Sequence, residues 1–438
     1  MNAAVIVAAL ALGAAAPQRD TGRLASALPQ ATPRAATTSP AQAPALTRQA
    51  AIDSALAHNP QIEAAREQVA EARARVVQAI AIPDPSLSGT LDTENSLFGA
   101  SPQKTVGLGV TVPFPDKIRL RGKVAGADVR SAELNVTLLQ QQIGSQTAQA
   151  YDALLVAQQH NHDLLEQRQL ALDFVKKTQA RYNAGTAAKL DVVRAQVDAS
   201  QAENNIIANE RDIAQARAQL NRLMGRTLGA DLALADSLAV PAALPELEGL
   251  RSRAQQLRPE LLALAAQRRG AGAATALARE FWIPDFSVGL SGSGQPGSPN
   301  QFSTGLSIGF PIFFWQPTGG ELAEARHRER ELAANALDLA AQVEQDVRNA
   351  YADAGTALRQ VIFIRDQLLP STRDAYRIAS TSYALGGSSA LDVLSARRDL
   401  IAAQGQYADA LGAANDAVAR LELAVGGPLN QTPNGGPR

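Results

Sequence analysis

The stretch Arg181-Tyr-Asn-Ala-Gly-Thr-Ala-Ala-Lys-Leu-Asp191-Val-Val-Arg-Ala195 decides the fold, because the chain contains it twice. It returns as Ser382-Tyr-Ala-Leu-Gly-Gly-Ser-Ser-Ala-Leu-Asp392-Val-Leu-Ser-Ala396, with Tyr, Gly, Leu-Asp-Val and Ala at the same internal spacing. Each copy interrupts a long run of polar residues and alanine. Glycine supplies the left-handed turn that a helix C-terminus commonly requires. The aspartate then falls in the first turn of the next helix, where the macrodipole favours a negative charge. Each copy reads as the tip of a long helical hairpin, with Tyr182 and Gly185 in the first and Tyr383 and Gly386 in the second.

The residues after each tip carry a partner surface. Val192, Ala195, Ala199, Ala202, Ile206, Asn209, Ile213, Ala216, Leu220 and Leu223 alternate strictly in steps of three and four. After the second tip Val393, Ala396, Leu400, Ala403, Tyr407, Ala410, Ala414, Ala417, Leu421 and Ala424 do the same. A sustained period of about 3.5 residues is a coiled-coil seam. Its alanines allow close helix approach.

Upstream of each tip lies the same programme. Leu46 to Asp53 opens the ordered chain with Thr47 as N-cap, and a helix runs to Ile80 before breaking at Ile82-Pro-Asp-Pro85. Val106, Leu108, Val110 and Val112 then alternate with Thr105, Gly107, Gly109 and Thr111. That period of two predicts a β-hairpin over 86–112, turning at Gly99 to Pro102. Without proline from Lys117 to Tyr182, the next helix would span about 100 Å. In the second half, Arg258-Pro-Glu corresponds to Asn59-Pro-Gln, and Ile283-Pro-Asp285 to Ile82-Pro-Asp84. A second hairpin is expected over 285–310, then a long helix to Tyr383 with a kink at Pro370. The resulting boundaries are 46–225 for the first repeat, 226–250 for a connector, 251–426 for the second repeat and 427–438 for a disordered tail.

Residues 1–20 read as a signal peptide, with an apolar run from Ala3 to Ala16 and small residues at Ala14-Ala15-Ala16, and 21–45 as a disordered linker. No later segment has the length of an apolar transmembrane helix, so a membrane crossing must use strands. Phe281, Trp282, Phe286, Phe302, Phe310, Phe313, Phe314 and Trp315 crowd around the second hairpin. Aromatic rings at the ends of alternating strands mark a lipid-facing barrel, although a cluster beneath an ordinary sheet uses the same residues. Four strands cannot close a barrel alone; three chains give about twelve.

Charge and residue types exclude most chemistry. The net charge is −1, with no basic run interleaved with aromatics, which argues against nucleic acid as partner. With no cysteine, disulfides, thiolate metal sites, a cysteine nucleophile and a lipid anchor on an N-terminal cysteine are all excluded. His160 and His162 stand two apart, on different helix faces, so they do not pair on a metal. The glycines around 107–109 and 289–294 lie in strand patterns and are not phosphate loops. No cofactor is called for, and the chain does not read as an enzyme. Lys117, Arg119, Arg121 and Lys123 follow the first hairpin and receive no specific role.

The duplicated Tyr-x-x-Gly…Leu-Asp-Val tips, the two hairpins, the alanine seams and the opening Leu46, Thr47, Ala51, Ile52, Ala55, Asn59 and Pro60 resemble the outer-membrane efflux channels, the TolC-like outer-membrane factors. The resemblance covers Leu46 to Gly426. It implies a mainly α protein with a membrane β-barrel: an internally duplicated coiled-coil barrel of long helices plus four transmembrane strands per chain, closed as a 12-stranded barrel in a homotrimer. It also implies outer-membrane lipid around the barrel, a helical extension through the periplasm, a periplasmic adaptor protein and an inner-membrane pump of the RND type. By the same resemblance the adaptor docks at Tyr182, Gly185, Tyr383 and Gly386, unless those residues only form the turns.

Asp191, Asp392 and Arg194 are expected at the periplasmic entrance. Asp392 is favoured for the pore, because Arg194 stands close enough to occupy Asp191, while Ser389-x-x-Asp392 is also a capping-box pattern. Some family members carry an arginine and a further acid where this chain has Ser388 and Ser395. Among cargoes, heavy-metal cations fit the general look best, with drugs or secreted polypeptides as alternatives. A periplasmic adaptor would have one central hairpin between β-rich halves, and a structural coiled coil would not need aromatic hairpins.

Overall fold

The computed structural model describes residues 45–92, 103–294, 299–309 and 318–429. The signal segment, the linker to residue 44, the turn at 99–102, Phe310, Phe313, Phe314, Trp315 and the tail from 430 lie outside them. The first half begins with α1 (Arg48–His58) and α2 (Pro60–Ile80), where one continuous helix was expected. Pro60 explains the break: the residue before proline is driven out of the helical region, and Asn59 sits at φ −72°, ψ 122°. Asn59 then caps α2 by accepting from the Gln61 N–H at 2.9 Å, and Thr47 caps α1 from the Ala50 N–H at 3.2 Å. Strands β1 (Ser86–Asp92) and β2 (Gln103–Val112) follow, then α3 (Pro115–Asn183) and α4 (Lys189–Leu223). At 69 residues without a break, α3 spans about 100 Å.

The second half runs through the same succession. Its elements are α5 (Leu247–Leu257), α6 (Pro259–Arg279), β3 (Phe286–Gly294), β4 (Gln301–Ile308), α7 (Thr318–Phe363), α8 (Leu369–Ala384) and α9 (Ala390–Val425). Helix α5 starts inside the expected connector, which is therefore shorter than 226–250. Between α7 and α8 the chain makes a π-helical turn, Ile364–Leu368, just ahead of Pro370. Proline at the start of α8 removes an N–H that the preceding turn would have used, and one widened turn absorbs the defect.

All four strands form a single antiparallel sheet in the order β1-β2-β3-β4. The two hairpins therefore pair with each other, Val112 opposite Phe286 and Leu108 opposite Leu290. Lys117 helps to fix that junction: its Nζ donates to the Ile283 carbonyl at 2.6 Å and to Asp285 Oδ1 at 2.9 Å.

Helices pack by their predicted seams, but unequally. On α4 the buried residues Val192, Ala195, Ala202, Ile206, Asn209, Leu220 and Leu223 lie on the seam facing α3, and the one buried residue off it, Asn221, donates to the carbonyls of Leu228 and Ala230. Helix α9 buries most of its seam and also Leu394, Arg397, Ala408, Leu411 and Ala419, because it packs against α7 and α8 on one side and α3 on another. Near the middle, Tyr151 donates its hydroxyl to the Leu46 carbonyl at 2.7 Å and to Asp236 at 2.9 Å, fastening the connector to α1 and α3. The start of the expected disordered tail is held too, since Arg253 donates to the carbonyls of Pro428 and Leu429.

Candidate functional site

The sheet presents two unlike faces. Leu87, Val106, Leu108, Val288, Leu290, Phe302, Leu306 and Ile308 share one face and are exposed, Phe302 at 80%. The opposite face carries serine, threonine and glycine. There Thr111 Oγ1 meets Ser287 Oγ at 2.9 Å and Ser291 Oγ meets Ser303 Oγ at 2.8 Å, so neighbouring strands share hydroxyl hydrogen bonds. Trp282, 63% exposed, stands at the helix end of the sheet. An apolar face of this size against water would cost heavily; against lipid it is satisfied. Among the described residues no helix is long and apolar enough to cross a membrane.

The tips lie at the ends of α3 and α8. Both close as Schellman turns. The Gly185 N–H donates to the Tyr182 carbonyl and the Thr186 N–H to the Arg181 carbonyl, both at 2.9 Å. The Gly386 N–H likewise donates to Tyr383 at 3.0 Å and the Gly387 N–H to Ser382 at 2.8 Å. Gly185 has φ +72° and Gly386 φ +85°, left-handed values that disfavour any side chain.

Beyond the turns the two tips diverge. Tyr182 is 41% exposed, whereas Tyr383 is 4% exposed and packs on Phe174, ring centroids 5.4 Å apart. The Arg181 guanidinium lies 4.4 Å over the Tyr383 ring and also donates to the Tyr383 carbonyl, so the first tip grips the second. Ala195, Ala390, Val393 and Leu394 complete this cluster. Burial pushes the Tyr383 phenol above its ordinary value, and its hydroxyl has no hydrogen-bond partner among the described residues.

The expected entrance acids are placed differently from each other. Asp392 closes a capping box: its N–H donates to Ser389 Oγ at 3.2 Å and its carboxylate accepts the Ser389 N–H at 2.9 Å. These bonds to Ser389 hold its carboxyl below the usual range. Asp191 has Ala188 at the matching N-cap, which offers no side-chain cap. Asp191 and Arg194 form no ion pair with each other or with another described residue, so the expected occupation of Asp191 by Arg194 does not occur.

Arg397 was not singled out by sequence. It is 2% exposed, about two turns into α9 from the second tip. One guanidinium nitrogen donates to Asp198 on α4 and another to the Gln167 carbonyl on α3 at 2.7 Å, joining the two hairpins. Burial lowers its pKa, and the Asp198 charge opposes that shift. A single arginine in a charged helix gives no sequence signal; only the packing of α9 on α3 shows it. His160 likewise turns to Asp409 at 2.9 Å and His162 to Glu166 at 3.8 Å. Among the described residues no three His, Asp or Glu side chains gather as a metal site.

Comparison with known proteins places this arrangement. The cobalt-zinc-cadmium resistance protein CzcC of Cupriavidus metallidurans is 23% identical over 386 residues, 87% of this chain and 90% of that protein. The toluene efflux pump outer membrane protein TtgF of Pseudomonas putida is 28% identical over 282 residues, 59% of this chain and 58% of that protein. Among solved structures, the outer-membrane channel OprN superposes with a TM-score of 0.75 at 19% identity, covering 87% of this chain and 90% of that one. The sequence profile of outer membrane efflux proteins matches residues 51–226 and 250–427, so the chain belongs to that family and is an outer-membrane channel of a tripartite efflux system, not an enzyme.

Proposed function

We propose that three copies of this chain close their sheets into one barrel of about twelve strands and their helices into one duct. The observation that carries this reading is the sheet: its apolar face is exposed and both edge strands, β1 and β4, lack a second neighbour among the described residues. Pairing β4 of one copy with β1 of the next removes every open edge, as a bilayer demands. Two halves with one succession of elements fit an internal duplication. Mass measurement in mild detergent is expected to give three chains; a stable single chain would overturn the reading.

The duct then receives cargo from an adaptor and an inner-membrane pump of the RND type, with the tips as docking sites. Gly386→Val is expected to abolish export while the assembled channel still reaches the membrane. Loss of the assembled channel would leave these glycines as turn formers only. Asp191, outside any capping box and without an ion pair among the described residues, joins Asp392 as an entrance carboxylate and is the freer of the two to meet a passing cation.

For cargo, divalent metal cations are favoured by the similarity to CzcC across nearly the whole chain. TtgF favours organic solutes, but over a shorter span. A deletion strain is expected to lose tolerance to cobalt, zinc or cadmium salts and to regain it on complementation. Unchanged metal tolerance with new sensitivity to toluene would move the assignment to organic solutes.

A further inference from the structure

Arginines on α6 and α7 commonly meet an acid. Arg328 is taken up by Glu331 at 2.8 Å, Arg348 by Glu344 at 2.8 Å, and Arg258, at the start of α6, by Asp346 at 2.9 Å. One groove departs from that pattern. Between α6 and α7 an open cavity of about 720 Å³ is lined by Arg268, Arg269, Arg326 and Arg330, all exposed, and by a single acid, Glu329.

The charge in this groove is uncompensated. The side chains of Arg268, Arg326 and Arg330 have no ion-pair or hydrogen-bond partner among the described residues. Arg269 donates only to the Ala265 carbonyl of its own helix, at 3.3 Å. Glu329 is already engaged, accepting from the hydroxyl of buried Thr275 on α6 at 3.2 Å. Four guanidinium groups against one carboxylate leave an excess of three positive charges. Like charges gathered in one concavity repel each other and concentrate anions there.

The walls indicate what the groove takes. Guanidinium is a planar fork that meets phosphate oxygens two at a time. Arg326 and Arg330 are one helical turn apart, about 5–6 Å between Cβ atoms, so both reach one phosphate. Arg268 and Arg269 line the same cavity from α6 and supply a second such pair. Two phosphate groups carry about three to four negative charges at neutral pH, which balances the excess. The volume also suits a ligand larger than a single small ion. Arg269 lies about 15 Å along α6 from its sheet-side end, farther than the roughly 5–8 Å depth of a headgroup layer. We propose that the α6–α7 groove binds a soluble anion with at least two phosphate groups, one held by Arg326 and Arg330 and the other by Arg268 and Arg269. The bound anion ties the two helices together. This site is separate from the tips and does not depend on how many chains assemble.

The probe is inorganic pyrophosphate, titrated at constant ionic strength into the purified full-length channel in detergent. Calorimetry is expected to show saturable binding at least about tenfold tighter than inorganic phosphate, with a raised unfolding temperature. Arg326→Gln/Arg330→Gln should weaken pyrophosphate binding at least about tenfold. Arg326→Lys/Arg330→Lys, which keeps the charge and loses the fork, should weaken it about threefold or more. Arg328→Gln, outside the groove and already paired, should bind as wild type. Should the α7 glutamine variant not fold, Arg268→Gln/Arg269→Gln on the other wall is expected to show the same loss. Pyrophosphate bound equally by wild type and the glutamine variants, or by neither, would overturn the site. Lysine variants that bind as tightly as wild type would reduce the groove to diffuse positive charge and overturn it too. Stabilisation by cardiolipin nanodiscs, lost in the glutamine variants while pyrophosphate has no effect, would assign the arginines to a lipid headgroup and likewise overturn it.

Discussion

The two tips share one motif and two fates. Each ends a helix in a Schellman turn with a left-handed glycine, yet Tyr182 is open to solvent and Tyr383 is enclosed by Phe174 and Arg181. At the position matching Arg397, the first hairpin has the exposed Gln196. The turn is local and follows from a few residues. Burial is not local: α9 lies against α3 as well as α8, whereas α4 leans mainly on α3. A repeated motif can thus fix the same backbone twice while the surroundings give one copy a structural role and leave the other available.

The sharpest way to break this comparison is to truncate both tyrosines. Tyr383→Ala is expected to destabilise the folded chain by about 3–5 kcal/mol, the cost of emptying a buried aromatic site. Tyr182→Ala should change stability by no more than about 0.5 kcal/mol, as at other exposed positions. Thermal unfolding followed by circular dichroism in detergent reads both, and equal losses would show that the tips are equivalent after all.

Arg397 comes next. Arg397→Met leaves Asp198, whose side chain is 14% exposed, beside an apolar group, and should cost about 3 kcal/mol. Replacing both, Arg397→Met with Asp198→Leu, should recover most of that loss, because an apolar pair needs no desolvation of charge. A double variant as unstable as the single one would show that Arg397 acts through its bond to Gln167 instead.

A carboxylate far from the tips supplies a contrast in pH. Asp152 is pushed up to about 6 from 3.8, chiefly by burial, with the Arg48 charge opposing the shift. Its native state therefore holds a proton between those values that the unfolded chain releases. Stability from this group is full below pH 3.8 and is lost as pH rises through about 6. Asp152→Asn should raise stability at pH 7.5 by at most about 3 kcal/mol and flatten the profile between pH 4 and 6. Asp392 has the opposite sign. Its lowered value gives stability present above pH 3.8 and lost as pH falls through the lower folded value, so acid should loosen the second tip.

The smallest effect concerns the caps. Ser389→Ala should cost about 1 kcal/mol by removing the N-cap of α9. Ala188→Ser at the first tip, with Asp191 three residues on, should return a comparable amount by building the box that α4 lacks. If neither substitution moves the unfolding temperature, the caps do not distinguish the tips.

Most of the fold was legible because it is periodic. Steps of three and four gave α4 and α9, and steps of two gave the four strands with their apolar and polar faces. The glycines gave the turns with their left-handed backbone, and Ser389-x-x-Asp392 gave its capping box. Prolines marked the breaks, although a single helix was expected where Asn59 divides two, and a simple kink where a π-helical turn precedes Pro370. The candidate site was less legible. The spacing put Tyr182, Gly185, Asp191, Arg194, Tyr383, Gly386 and Asp392 at or beside the turns, but of their contacts it gave only the Ser389 cap of Asp392.

The sequence by itself determined where helices, strands and turns lie, since those depend on neighbours within a few residues. Tertiary structure alone decided that β2 pairs with β3, that Arg181 covers Tyr383 and that Arg397 reaches Asp198. These contacts join residues about two hundred positions apart, and a side chain carries no local mark of the distant surface it will meet. Which of two like residues is buried follows from the packing of whole helices, a property of the assembled fold rather than of the motif.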